Sequence, residues 1–234
     1  MNHPSFLDFS CKPPLDLPEG LVVKTAGIIQ SEWYPGVESS YGFTYPEKME
    51  RAVAKRRAEY FAGRYLSRLM LEDLGLAPEF IGSRDRIPLW PDGMRGSITH
   101  TKGYVAVLGT TEGGILGVGM DWERSIPQET WDSIHSRIAS EEEEELCPLG
   151  MDAPLWGSLI FSLKESIYKA LFPSVGRYFG FEAAAIKSVD LGQGLLEFEI
   201  REDLTSQIVK GTRASGRFVM FENTCLTWVI WRGG

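Results

Sequence analysis

The spacing of apolar residues between positions 155 and 171 constrains this chain more than any other feature. Ile160, Leu163, Ile167, Ala170 and Leu171 recur at intervals of three and four, the repeat of one helix face. Pro173 is expected to stop that helix. An apolar face of this kind needs a partner, and the following residues supply one. Ile186 to Leu191, Leu195 to Ile200, Arg217 to Glu222 and Leu226 to Trp231 read as strands. A second long helix is expected from after Pro46 to about Leu74, ended by Gly75 and Pro78. Strands follow it too: Gly96 to Thr99, Tyr104 to Gly109, and Ile115 to Trp122. The Thr111–Gly114 stretch reads as a hairpin turn.

A helix and then strands, twice over, predicts an α+β protein. It would consist of two similar α/β halves, residues 1–114 and 115–234, each with a long helix on a small antiparallel sheet and with the active site between them. The repetition is of pattern, not of residues. Residues 1–45 are rich in Pro, Gly and aromatics and read as irregular, with Leu21–Val23 and Gly27–Ile29 as edge strands. Gly63 sits inside a helix, where glycine costs about 1 kcal/mol against alanine, so close packing or a bound group is expected there. Ser140 followed by five glutamates reads as an exposed helix start with a capping box.

Bulk properties exclude several classes. Apolar content of 43% and aromatic content of 12% suit a globular core, not a disordered chain. A net charge of −8 argues against a general nucleic-acid binder. The basic residues are nevertheless clustered: Lys48, Arg51, Lys55, Arg56, Arg57, Arg64 and Arg68 make a strip suited to a small anion. Cys11, Cys147 and Cys225 are scattered, which argues against a disulfide framework or zinc site and fits a reducing compartment. The first residues lack the basic and apolar regions of a signal peptide. No apolar run approaches the roughly 18–20 residues of a membrane span. A cytoplasmic protein is expected.

Four segments carry chemistry. Asp121 and Glu123, at i and i+2 on a strand, share a face about 6–7 Å apart. Both can reach one hard cation at about 2.1 Å, although a solvated strand end would look the same. Glu165 and Lys169, at i and i+4, share a helix face beside Lys164. They could form a surface ion pair or meet a phosphate. Thr99 and His100 close a strand in Gly-Ser-Ile-Thr-His, where hydroxyl, imidazole and backbone N–H can hold phosphate or the histidine can simply be structural. Arg56 and Arg64, eight apart, could clamp a phosphate near Gly63 or belong to a solvated basic face.

The segments Lys55-Arg-Arg-Ala-Glu-Tyr-Phe-Ala-Gly-Arg64, Trp90-Pro-Asp-Gly-Met-Arg-Gly-Ser-Ile-Thr-His100, Gly119-Met-Asp-Trp-Glu123 and Phe161-Ser-Leu-Lys-Glu-Ser-Ile-Tyr-Lys-Ala170 occur in the order and spacing of one family. Together they resemble 4'-phosphopantetheinyl transferases of the monomeric, two-half class, and most of all the enterobactin-synthase branch. The resemblance spans about residues 46 to 172. It implies that Asp121, Glu123 and Glu165 are magnesium ligands and that Lys164 and Lys169 bind pyrophosphate. It further implies that Thr99 and His100 form a phosphate-binding strand end, and that Arg56, Arg64 and the less distinctive Arg86 hold the adenosine 3'-phosphate side of coenzyme A. Leu163 and Trp122 depart from the family's usual residues, and the role of Trp122 stays open.

The implied reaction moves the phosphopantetheine arm of coenzyme A, the co-substrate, onto a serine of an apo acyl or peptidyl carrier protein. It is Mg2+-dependent and releases 3',5'-ADP, with Glu165 and Lys169 as the catalytic pair. The branch points to siderophore or other nonribosomal peptide carriers. A magnesium-dependent phosphodiesterase and a non-catalytic coenzyme A or carrier-binding module are the alternatives. Net acidity weighs against the first and the complete acid set against the second.

Overall fold

The computed structural model describes residues 3–85 and 87–232. The chain divides into two compact units, Met1–Thr111 and Glu112–Gly234, each with its own hydrophobic core. Helices and antiparallel sheets are mixed throughout, which makes the fold α+β. Among the described residues no helix is long and apolar enough to cross a membrane.

The first unit contains β1 (Leu7–Asp8), β2 (Leu21–Ile28), α1 (Glu47–Glu50), α2 (Ala54–Asp73), β3 (Ser83–Arg84), β4 (Ile87–Pro88), β5 (Arg95–Thr101) and β6 (Tyr104–Thr110). Its main sheet is antiparallel in the order β1-β2-β6-β5, and β3 pairs with β4 as a separate ribbon. Helix α2 covers this sheet, burying Phe61, Leu66, Met70 and Leu71 in a core with Val105 and Val107. Close packing accounts for Gly63, because a Cβ there would lie 3.0 Å from Ile98 Cγ2 on β5.

Two expectations change in this unit. The single helix expected after Pro46 is two helices, because Val53 is extended (φ −60°, ψ 152°) and caps α2. Its β-branched side chain is exposed, so no packing offsets the χ1 restriction that helix geometry imposes. The two edge segments expected in 21–29 are one strand, β2. It lies inside the sheet because β1 pairs with its end.

The second unit contains β7 (Ile115–Arg124), α3 (Gln128–Ile138), α4 (Glu141–Glu145), α5 (Ala153–Val175), β8 (Ala184–Asp190), β9 (Leu195–Ile200), β10 (Arg213–Phe221) and β11 (Thr224–Arg232). Its antiparallel sheet runs β7-β11-β10-β9-β8. Asp152 caps α5, its Oδ1 accepting from Leu155 N at 2.8 Å. The expected apolar stripe is the buried face: Ile160, Leu163, Ile167, Ala170 and Leu171 are at most 1% exposed. Each large side chain among them contributes about 1.5–3 kcal/mol by leaving water.

Pro173 does not stop α5. A proline in the last turn forfeits one backbone hydrogen bond, and the helix ends at Gly176, which is left-handed at φ 68°. The hairpin expected at Thr111–Gly114 is absent, since β6 and β7 pair within different sheets. The capping box at Ser140 is present. The glutamate run is not wholly exposed, however: Glu143 is 1% exposed.

Candidate active site

Alternation along β7 puts Gly117, Gly119, Asp121 and Glu123 on one face and Val118, Met120 and Trp122 on the other. The first face meets α5. A Cβ at Gly117 would lie 1.9 Å from Ala170 O, and one at Gly119 would lie 1.8 Å from Ser166 O. Only glycine lets the helix backbone come this close to the strand. Small polar side chains complete the seam. Ser162 Oγ donates to Asp121 O at 3.2 Å. Ser166 Oγ donates to Thr227 O at 3.1 Å, and both serine hydroxyls lie within 3.0 Å of Thr227 Oγ1. Thr227 sits opposite Asp121 in the β7–β11 register.

This close approach brings the acids and one lysine together. Lys169 Nζ donates to Asp121 Oδ1 at 2.7 Å and to Met120 O at 3.0 Å. Glu165 stands one turn before Lys169, about 40° around the helix. Burial pushes the Glu165 carboxyl above its ordinary range, Lys169 opposes that shift, and Asp121 adds to it. Glu123 is also pushed up, first by burial and then by Asp121 and Glu165. The Arg124 N–H on its carboxylate and the Lys169 charge act against that. The Cys225 thiol, opposite Glu123, is raised by burial and by Asp121 and Glu123.

Three carboxylates beside Lys169 make an oxygen donor set, the chemistry that holds a hard divalent cation. Among the described residues no three His, Cys, Asp or Glu side chains converge as a preformed metal-ligand group. The fit is therefore one of donor chemistry.

Lys164 has a different set of partners from Lys169. Five residues turn a helix by about 500°, so Lys164 and Lys169 lie about 140° apart. The Lys164 ammonium is buried, donating to Glu143 Oε2 at 2.8 Å and to Ile138 O at 2.7 Å. Burial lowers its pKa while Glu143 holds it up. Trp122 points to the opposite face of β7 from the acids. It is 1% exposed and donates from Nε1 to Thr224 Oγ1 at 2.7 Å, so it packs the strand.

The first unit gathers a second polar cluster, on α2 and β5. Arg56 Nη1 lies 2.5 Å from His100 Nε2. With the guanidinium donating, the ring proton falls on Nδ1, which faces Glu59 Oε2 at 3.8 Å. Glu59 also lies 3.7 Å from Arg56 and 3.6 Å from Lys55. Thr99 is buried next to His100. Arg64 is 5% exposed, its guanidinium 4.6 Å from the centre of the Tyr60 ring. Its Nε has no hydrogen-bond partner among the described residues, and burial lowers its pKa. Arg56 and Arg64 thus share α2 but not an environment, one exposed and the other buried. Arg86 lies outside the described residues.

Four contributors escaped sequence reasoning. Glu143 was hidden in a run of like residues, though its place in the capping box was a signal. Glu59 looked like one member of a charged helix. Gly117 repeats the spacing of Gly119, and Thr227 carries no local signature.

Comparison with known proteins bears on both clusters. The N-terminal domain of 4'-phosphopantetheinyl transferases matches residues 45–109. The 4'-phosphopantetheinyl transferase superfamily matches residues 117–220. The chain is 33% identical over 184 residues to the 4'-phosphopantetheinyl transferase Npt of Nocardia iowensis, covering 70% of this chain and 81% of that one. It is 39% identical over 139 residues to the 4'-phosphopantetheinyl transferase PptT of Mycobacterium tuberculosis, covering 58% of this chain and 60% of that one. It is 37% identical over 147 residues to enterobactin synthase component D of Salmonella typhi, covering 62% and 60%. The chain belongs to the 4'-phosphopantetheinyl transferase superfamily, a family of transferase enzymes.

Proposed function

We propose that this protein transfers the 4'-phosphopantetheine arm of coenzyme A to a serine of an apo carrier protein. The observation that carries the reading is the pairing of β7 with α5, which sets Asp121, Glu123, Glu165 and Lys169 in one electrostatically coupled group. Asp121, Glu123 and Glu165 would hold magnesium, which when bound supplies charge neutralisation at the coenzyme's pyrophosphate. The serine oxygen bonds to the β-phosphorus. The bond from that phosphorus to the bridging oxygen breaks, and the α-phosphate departs as 3',5'-ADP. Glu165, whose carboxyl holds protons more tightly than a free one, takes the serine proton directly or through water. Lys169 counters the charge that develops on the departing phosphate.

The residues of the first unit serve binding. Arg56, Arg64, Arg86, Thr99 and His100 are proposed to hold the coenzyme's phosphates. A buried guanidinium with an unsatisfied Nε, as in Arg64, gains most from an anionic partner. Enterobactin synthase component D among the relatives supports carriers of siderophore or related nonribosomal peptide synthesis. We further propose that the protein acts as a monomer in the cytoplasm.

The test is intact-mass analysis of apo carriers incubated with the protein, coenzyme A and magnesium. A gain of about 340 Da that EDTA abolishes is expected. Coenzyme A binding without any gain, across a panel of siderophore, polyketide and fatty-acid carriers, would overturn the reading.

A further inference from the structure

Lys164 and Glu143 lie outside the chemistry just described, yet they are among the most buried charges in the protein, their side chains 4% and 2% exposed. Glu143 Oε2 accepts from Lys164 Nζ at 2.8 Å and from Ser140 N at 2.9 Å, while Oε1 accepts from Ile186 N at 2.9 Å. Lys164 Nζ also donates to Ile138 O. Trp156 Nε1, one helical face away on α5, donates to Glu143 O at 2.8 Å. The Glu143 carboxylate and backbone carbonyl, together with the Lys164 ammonium, therefore tie together the end of α3, the start of α4, the strand β8 and two points on α5.

We infer that Lys164 and Glu143 form a positioning pair that fixes the rotation of α5 so that its next residue, Glu165, and then Lys169 face Asp121. The inference rests on the transferase reading for its consequence, but the geometry is independent of it. Lys164 and Glu165 are adjacent and so point about 100° apart. Anchoring one side chain in a fixed hydrogen-bonded socket sets the direction of the other. Ion pairs this deeply buried add little net stability over apolar replacements, so precision of placement is what such a pair offers. Lys164 is thus a positioning residue and not a phosphate ligand.

The variants Lys164→Met, Glu143→Gln and the double variant test this in the full-length protein. Measurements would be coenzyme A affinity and magnesium affinity by calorimetry, kcat and KM for transfer, and thermal melting. Each single variant is expected to lower kcat and magnesium affinity by about tenfold or more, with coenzyme A affinity within about twofold of wild type. The double variant removes both charges and leaves neither uncompensated, so its melting temperature is expected to recover, while the socket is still lost and kcat and magnesium affinity stay low. If the single variants do not fold, the double variant alone decides the matter by its coenzyme A affinity. A loss of about tenfold or more in coenzyme A affinity with Lys164→Met or the double variant, unmatched by Glu143→Gln, would make Lys164 a phosphate ligand and overturn the inference. Single variants with wild-type kcat and magnesium affinity would overturn it as well. A wild-type protein that transfers nothing would refute the transferase reading instead, while the two affinities still report on the pair.

Discussion

Gly119→Ala adds one methyl group where β7 meets α5. Its Cβ would sit 1.8 Å from Ser166 O and 2.7 Å from Ala170 N, and real Cβ contacts essentially never fall below 3.0 Å. Both obstacles are helix backbone, so no side chain can swing aside. The strand or the helix must retreat by more than 1 Å. Overpacking of this kind costs about 1–3 kcal/mol in a close-packed interior. That shifts the melting temperature by about 2–12 °C for a protein of this size. The functional cost is larger, because the seam that opens also holds Lys169 at 2.7 Å from Asp121. A displacement of about 1 Å at a reacting constellation lowers turnover by about 100-fold. The assay is carrier phosphopantetheinylation followed by intact mass, with melting read by circular dichroism. Gly113→Ala is the control, since nothing lies within 4 Å of its added Cβ. A Gly119→Ala protein that melts and turns over within twofold of wild type would refute the claim that backbone contact places the site.

Glu165→Gln is expected to keep the fold and lower kcat by about 100-fold or more, and near-normal turnover would remove Glu165 from the chemistry. The raised Glu165 and Glu123 carboxyls stabilise the magnesium-free protein below the unfolded-state value of 4.5, and that contribution is lost as pH rises through their folded-state values. Melting curves from acid to neutral pH should therefore show wild type losing stability relative to Glu165→Gln as pH rises, and an opposite trend would contradict the assignment. Magnesium affinity should strengthen over the same interval as protons leave the carboxylates, a dependence that calorimetry in matched buffers measures directly. Ser140→Ala removes an N-cap acceptor and half of a capping box, so a loss of about 1 kcal/mol is expected, read by urea denaturation.

What the sequence made legible followed from periodicity. The stripe on α5, the strands that pair in the second unit and the pairing of Asp121 with Glu123 on one face all rest on repeats of 3.6 or 2 residues. Those repeats survive whatever the tertiary context. The same arithmetic, carried one step further, separates Glu165 and Lys169 from Lys164. The shared motif groups all three, while helix geometry sets the two lysines about 140° apart. The errors arose where long-range packing decided. Pro173 lies close enough to a helix end to be tolerated. Val53 breaks a helix because its side chain meets nothing. The stretch before β7 leads into a different sheet, which no local turn propensity records. Glu143 is the sharpest case. Its burial depends on Lys164, 21 residues away, and a run of five glutamates gives no local reason to single out the third.

The placement of the acids rests on what is missing from the seam more than on what fills it. Glycines at 117 and 119 let the α5 backbone approach, and Ser162, Ser166 and Ala170 add almost no bulk. The two serine hydroxyls bond to Asp121 O, Thr227 O and Thr227 Oγ1, so each hydroxyl that the close approach buries has a partner. Backbone-to-backbone contact has no rotamers to sample, so it holds Asp121 and Lys169 more tightly than a layer of leucines would. Larger side chains could preserve the fold with a wider spacing between helix and sheet, but Lys169 could not then reach Asp121 Oδ1 and Met120 O together. The glycines and serines beside the charged residues are in that sense part of the site. Substitutions there should separate stability from turnover, with turnover failing first.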